Sequence, residues 1–175
     1  LMLRLFALIF FCVLLRIPAK GQNSWQHFEA SDGSYSLAFP DIPEHRMDTI
    51  FYSEGIIFNH HFLFFSKTDS VAYHLLDTHY SSLEGSWENT DLDSMLELTL
   101  EQIAKKVSGQ VIFRDRIEFP AYGLTARIQK HTQSIIRLRI YLFSNRMIIQ
   151  QVQGKARAVN AFNVKRFFES LTISL

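Results

Sequence analysis

Histidines are the residues in this chain whose type and spacing best suit chemistry, because imidazole transfers protons near neutral pH and ligates metals. The chain has seven of them, at positions 27, 45, 60, 61, 74, 79 and 131. The polar run 67–70 predicts a turn between two strands, and a turn centred there makes the numbers of cross-strand partners sum to about 137. His61 then lies diagonal to His74 on one sheet face, roughly 7 Å away, where two imidazoles suit a zinc or copper ion.

A metal ion needs more ligands than these two histidines. Asp77 is the nearest acid, and alternation along a strand places its side chain on the opposite face. A slip of one residue in register would also separate the pair. The alternative interpretation is that these are ordinary polar histidines on a partly covered sheet. The sequence therefore predicts no metal site and no cofactor, with His61 and His74 as the alternative ligand pair.

Three arginines form the other chemically suggestive group. Arg127, Arg137 and Arg139 lie on two neighbouring predicted strands, each on the face opposite the inward aliphatic residues of its strand. In that arrangement they form a basic stripe suited to an acidic protein surface or an anionic glycan. The alternative is a solvated sheet face, or arginine stems that lie under a helix with their charges at its edge. The stripe is the predicted binding site.

Catalytic signatures are missing from the sequence. Its glycines are widely spaced, whereas a phosphate-binding loop needs several within a few residues. There is no Gly-x-Ser-x-Gly sequence, and Asp91 and Asp93 fit the first turn of a helix better than an acid–base pair. The chain is therefore expected not to be an enzyme. A net charge of +1, from 18 basic and 17 acidic residues, also argues against nucleic-acid binding.

The first segment has the character of an export signal. The apolar run LFALIFFCVLL at 5–15 follows an arginine and is shorter than the roughly 20 residues that a membrane span needs. Small residues near its end predict that residues 1–21 are a signal peptide, cleaved after Gly21. An uncleaved N-terminal anchor is the alternative. The remaining chain has no membrane span and no cysteine, and we expect it to be exported, either to the periplasm or outside the cell.

Residues 22–175 are expected to form a single domain, since no repeat, linker or low-complexity tract interrupts them. Apolar and polar residues alternate along most of this length, as in half-buried strands. The predicted strands are 35–39, 45–53, 55–66, 71–80, 110–117, 122–131, 134–143 and 146–153. Strand 55–66 is apolar on both faces, so it is expected to be buried on both.

Two segments change to helical periodicity. Residues 91–108 carry an apolar stripe, with Thr90 as the expected N-terminal cap and Gly109 as a left-handed residue that ends the helix. Asn160 is expected to cap a second helix at 161–170. Strands in series with interposed helices predict an α+β fold, in which one central and one C-terminal helix pack on a mostly antiparallel sheet.

The order of these elements resembles the PsbP-like α/β/α sandwich superfamily. The resemblance is carried by the opening strand YSLAFP at 35–40, AYHLLDTHY at 72–80, the single central helix, RIYL at 139–142 and the closing FFESL at 167–171. It implies a non-catalytic scaffold that binds other proteins, among small secreted bacterial members of unknown role. It supplies no set of site residues.

The predicted function is therefore a secreted, non-catalytic protein-interaction module whose protein partner the sequence does not identify. The alternative is a carrier or binder of an apolar small ligand. That alternative comes from the 16 phenylalanines of the chain, especially those at 51, 58, 62, 64 and 65. A sizeable apolar cavity would favour the carrier, and a filled interior would favour the module.

Overall fold

The computed structural model describes residues 25–52, 55–81 and 91–174. The strands are β1 (Gln26–Glu29), β2 (Tyr35–Phe39), β3 (Glu44–Tyr52), β4 (Gly55–Ser66), β5 (Val71–Tyr80), β6 (Gly109–Ile117), β7 (Gly123–Lys130), β8 (Ser134–Phe143), β9 (Arg146–Lys155) and β10 (Thr172–Ile173). The helices are α1 (Leu92–Lys106) and α2 (Phe162–Glu169), with a 3-10 helix at Ala158–Asn160 before α2. The predicted signal peptide lies outside the described residues.

The described strands form two antiparallel sheets. The large sheet has seven strands in the order β3-β4-β5-β9-β8-β7-β6, and the small sheet has three in the order β1-β2-β10. Most neighbours in the large sheet are also neighbours in sequence, because short turns join them; the β5–β9 pairing is the long-range one. The predicted α+β class with a mostly antiparallel sheet is confirmed.

Two hydrophobic cores lie on the two sides of the large sheet. On one side α1 packs against β7, β8 and β9, and we call this the α1 face. On the other side the small sheet and α2 pack against β5, β8 and β9, and we call this the small-sheet face. The large sheet is therefore the middle layer of a sandwich, as the sequence predicted.

Helix α1 buries the predicted stripe. Leu96 and Leu100 have no exposed surface, and Ala104 is buried one turn further on. The N-cap is Asp91, whose carboxylate accepts a hydrogen bond from a backbone N–H in the first turn. The prediction of Thr90 as the cap was wrong by one residue; Thr90 itself lies outside the described residues.

The end of α1 also differs from the prediction. The left-handed residue is Ser108, with φ of 52°, and Gly109 already begins β6. Glycine is needed at 109 for a different reason. A Cβ atom there would lie 2.5 Å from a side-chain carbon of Ile128 on β7, so only glycine lets the two strands approach.

Asn160 does not cap α2. It belongs to the preceding 3-10 helix, and its side-chain amide donates to the carbonyl of Ala156 within that turn. Ala161 is the N-cap and makes no side-chain hydrogen bond. The helix is held instead by its buried face, formed by Val164, Phe167 and Phe168.

Strand β4 is not buried on both faces. Phe62 is buried, but Phe65 is exposed and most other side chains of the strand are half-buried. The reason is the position of β4 beside the edge strand β3, while the α1 core lies over β7, β8 and β9. A strand with apolar residues on both faces is thus only partly covered.

Candidate functional site

The predicted register of the β4–β5 hairpin is correct, and it brings His61 and His74 together. His74 lies opposite Leu63, which makes it diagonal to His61. The two rings stack with their centroids 5.4 Å apart, and His61 Nδ1 is 3.1 Å from His74 Nε2. Burial, followed by the charges of His61 and Lys106, lowers the pKa of His74 to about 4. His74 is therefore neutral at physiological pH.

The other nitrogen of His61 contacts a carboxylate from β3. His61 Nε2 is 2.8 Å from Asp48 Oδ1, and the Asn59 side-chain amide donates to the second oxygen of Asp48 at 3.1 Å. Asn59 and then His61 hold the pKa of Asp48 below its ordinary value. Sequence reasoning could have found this contact with the diagonal rule used for His74. In the β3–β4 hairpin Arg46 lies opposite His61, so Asp48, two residues further along β3, lies diagonal to His61.

These contacts do not form a metal site within the described residues. His61 uses one ring nitrogen toward His74 and the other toward Asp48. In residues 25–52, 55–81 and 91–174, no group of three or more His, Cys, Asp or Glu side chains could hold a metal ion.

A second polar cluster, which sequence reasoning missed, centres on Asp77 on the small-sheet face. Asp77 is 4% exposed and forms an ion pair of 2.6 Å with Arg146. Tyr35 donates its hydroxyl to the same carboxylate oxygen at 3.0 Å, and Arg146 also pairs with Asp32. Burial raises the pKa of Asp77, against the opposing effect of Arg146. Burial, and then the Asp77 charge, raise the pKa of Tyr35.

The sequence did contain a signal for this cluster. Asp77 continues the alternating row of Val71, Tyr73 and Leu75, all of which are buried on the small-sheet face. A carboxylate in such a row predicts a buried charge, which needs a partner. One of the two carboxylate oxygens has no hydrogen-bond partner among the described residues.

A cavity of about 300 Å³ adjoins the Asp77 cluster. Its lining includes a second histidine pair, His45 and His60, whose ring nitrogens are 3.2 Å apart. His45 also stacks on Phe62, with a centroid distance of 4.5 Å. The two histidine pairs thus lie on opposite faces of β4, because His60 and His61 are consecutive.

The arginines of the predicted stripe have unequal surroundings. Arg137 donates to the carbonyl of Val159 at 2.8 Å, and Arg139 donates to the carbonyl of Phe168 at 3.1 Å. Both guanidinium groups also lie 5.3 Å from the ring centroid of Phe168, on α2. Burial, and then the neighbouring arginines, lower the pKa of Arg137. Arg137 and Arg139 therefore support α2, which is the alternative that the sequence left open.

Arg127 is the exposed member of the stripe. Its guanidinium lies 5.6 Å from the ring centroid of Phe113 on the edge strand β6. Among the hydrogen bonds of the described residues, none joins Arg127 to α2, unlike the bonds of Arg137 and Arg139 to that region. Binding of an acidic partner by the three arginines stays a prediction.

The five phenylalanines of the carrier hypothesis do not converge on one chamber. Phe62 is buried, Phe51 and Phe65 are exposed, and the other two, Phe58 and Phe64, are half-buried. Phe65 also lies on the α1 face, whereas the other four lie on the small-sheet face. Phe62 lines the cavity beside Asp77, whereas Phe64 and Phe65 line a different cavity, of about 250 Å³.

Strand β3 is the edge of the large sheet and exposes apolar side chains. Among the residues that the structure describes, no strand pairs with its outer side. Met47 is 60% exposed, Ile50 48% and Phe51 77%. A long edge strand with exposed apolar residues offers unpaired backbone groups to another chain.

The opposite edge, β6, is bulged and tied to α1, although it also exposes Ile112 (51%) and Phe113 (46%). Its pairing with β7 is interrupted between Val111 and Phe113. Arg114 pairs with Glu97 of α1 at 2.8 Å, and Arg116 pairs with Asp93 at 2.7 Å. A bulge and charged side chains are common means of blocking an edge. The two edges of the large sheet thus differ in that β3 pairs regularly along its whole length, whereas β6 is bulged and bound to α1 through its arginines.

No helix within the described part of the chain has the length and apolar character to cross a membrane.

No protein-family model matches the sequence, and no curated protein matches it. The solved structure of cyanobacterial PsbP (CyanoP) from Synechocystis sp. PCC 6803 is similar, with a TM-score of 0.57 and 9% sequence identity. The similarity covers 89% of this chain and 96% of that chain. The protein therefore has a PsbP-like fold.

Proposed function

We propose that this chain is a non-catalytic protein-interaction module that works after export, in the periplasm or outside the cell. The single observation that carries the proposal is the outer side of β3, a nine-residue edge strand that exposes Met47, Ile50 and Phe51. An extended segment of a partner protein can add to such an edge through backbone hydrogen bonds, while pockets or patches for alternate side chains give specificity.

The side chains of β3 suit this mode of binding. Met47 and Phe51 lie on the small-sheet face, and Ile50 lies on the α1 face. A partner strand beside β3 would therefore meet apolar side chains on both sides of the sheet. Asp48 and Arg46, which also lie on β3, provide charges that favour one register over another.

The absence of catalysis in this proposal has three supports. The sequence has no phosphate-binding glycine loop and no Gly-x-Ser-x-Gly sequence, and the resemblance to PsbP-like domains implies a scaffold. The Asp77 cluster also has a structural explanation, because Arg146 and Tyr35 both bind one carboxylate oxygen of Asp77 beneath the small sheet.

The predicted arginine stripe enters the proposal through Arg127. Its exposed guanidinium lies on β7, next to the edge strand β6, at the side of the sheet remote from β3. An acidic partner surface would pair with this positive charge and leave the contacts of α2 intact. This is a secondary contact, since Arg137 and Arg139 already bind the carbonyls of Val159 in the 3-10 helix and Phe168 in α2.

The test compares two exposed phenylalanines. Phe51 on β3 is 77% exposed and Phe162 on α2 is 76% exposed, so F51K and F162K add the same charge at equally accessible positions. Tagged wild type and both variants are expressed in the native organism, and captured proteins are quantified by mass spectrometry. We expect a protein that is recovered with wild type and F162K but reduced at least about tenfold with F51K, because a lysine blocks apolar strand addition. Equal recovery with all three would contradict the proposal.

A further inference from the structure

A cavity of about 460 Å³ lies on the α1 face, between the C-terminal end of α1 and the exposed part of the large sheet. Leu76 of β5 and Ile149 of β9 contribute from the sheet, and Ile103 and Val107 contribute from the helix end. This volume lies in the range of small-molecule sites, which are about 300–1,000 Å³. It is separate from the β3 edge and from the Asp77 cluster.

The charged residues of this cavity are all basic. Lys106, in the last turn of α1, and Lys130, at the end of β7, line it, and no carboxylate does. Neither ammonium group has an ion-pair partner within 4.0 Å among the described acidic residues. The cavity therefore offers two positive charges without a direct ion pair, beside an apolar surface, although the charge of Lys106 also acts on Asp48 beyond the lining.

Polar side chains complete the lining. His61 and His74 lie at one side of the cavity and Gln151 lies on β9. His74 is neutral at physiological pH because burial, followed by electrostatic interactions with His61 and Lys106, lowers its pKa to about 4. The carboxylate of Asp48 lies outside the lining, where His61 and Asn59 hold it. An anion entering the cavity thus meets donors and cations, and no lining carboxylate repels it.

We propose that this cavity binds a small amphiphilic anion, with its apolar body against Leu76, Ile103 and Ile149 and its anionic group held by Lys106 and Lys130. A wholly apolar ligand would leave both ammonium groups unused. A small hydrophilic anion would leave the apolar surface uncovered. An apolar surface beside two lysines therefore favours a molecule that has both an apolar body and an anionic group.

The first test uses isothermal titration calorimetry with monomeric probes. Decanoate supplies an anionic head and an apolar chain, decyltrimethylammonium supplies the same chain with a cationic head, and butyrate supplies the head with a short chain. We expect decanoate to bind at least about tenfold more tightly than either of the others, because both the charge and the chain contribute. Equal affinity for decanoate and decyltrimethylammonium, or binding only above the micellar concentration, would overturn the proposal.

The second test locates the site. The double variant K106Q/K130Q should weaken decanoate binding about tenfold or more, since both charged contacts are lost. K67Q/K105Q removes the same net charge from two exposed lysines outside the cavity, and its affinity should stay within about threefold of wild type, because only screened long-range charge is lost. Methyl NMR of wild type should show decanoate-dependent shifts at Leu76, Ile103 and Ile149. Equal affinities of the two double variants, or shifts confined to other methyl groups, would overturn the assignment.

Discussion

The Asp77 carboxylate and the Arg146 guanidinium form an ion pair of 2.6 Å beneath the small sheet, although the two residues are 69 positions apart in sequence. The pair joins β5 to the start of β9, and Tyr35 of β2 donates to the same carboxylate. One buried charge pair thus ties the small sheet to the centre of the large one. Removing only one partner would leave the other charge buried and unpaired.

Arg146→Met should therefore destabilise the protein strongly. We expect the free energy of unfolding to fall by about 3–5 kcal/mol near neutral pH, as measured by urea denaturation. The loss should be smaller in acid, because the stranded Asp77 then takes up a proton in the folded state. Arg46→Met, which breaks the exposed pair with Glu44, should cost no more than about 1 kcal/mol. Equal costs for the two variants would show that the Asp77 pair is not buried.

The lowered pKa of His74 predicts a loss of stability in mild acid. Below its ordinary pKa of 6.5 the unfolded chain binds a proton on this imidazole, whereas the folded chain does not until the pH is about 4. Stability should therefore fall by about 1–3 kcal/mol as the pH drops from about 7 to about 4, and should lose nothing further from this group below that. His74→Gln should remove much of this dependence. His131→Gln, at an exposed turn, should leave it unchanged, and the same slope in both variants would contradict the prediction.

Helix α1 should be a major source of stability through Leu100, which has no exposed surface. Leu100→Ala should cost about 2–5 kcal/mol, because it leaves a cavity between the helix and the large sheet. Glu101→Ala, on the exposed side of the same helix, should change stability by no more than about 0.5 kcal/mol. Urea denaturation of the two variants measures the difference, and similar costs would mean that α1 does not pack as described.

The arginine stripe should divide into structural and exposed members. Arg139→Gln should cost about 1–3 kcal/mol, because it removes a charged hydrogen bond to the Phe168 carbonyl and the contact with the Phe168 ring. Arg127→Gln should cost no more than about 0.5 kcal/mol, since Arg127 is exposed. Thermal denaturation distinguishes them. A larger loss in Arg127→Gln would reverse the assignment.

Local patterns in the sequence were enough to predict most of the large sheet and the pair of His61 and His74. The turn at 67–70 is polar and short, so it determines the register of β4 and β5 and therefore the diagonal contact. The stripe of α1 likewise predicted its buried side. These features depend on residues close together in sequence.

The remaining features depend on contacts between distant segments. The pairing of Tyr35 with Asp77, and the support of α2 by Arg137 and Arg139, arise only when the small sheet and α2 dock on the large sheet. The short strand β10 pairs with β2 across most of the chain, and two residues carry no periodicity to predict it. The N-cap of α1 differs by one residue because Thr90 and Asp91 are adjacent residues of capping type, whereas α2 begins after an alanine that no capping preference could predict.

The β3 edge as the partner-binding surface is tested most directly by photo-crosslinking. A photo-reactive phenylalanine analogue replaces Phe51 on β3 or, as the matched control, Phe162 on α2, and the native organism is irradiated while it expresses each protein. We expect a discrete covalent adduct from position 51 that is absent or much weaker at position 162, because a partner strand beside β3 lies within reach of the first ring and not of the second. No adduct at position 51, or the same adducts at both positions, would contradict binding at this edge.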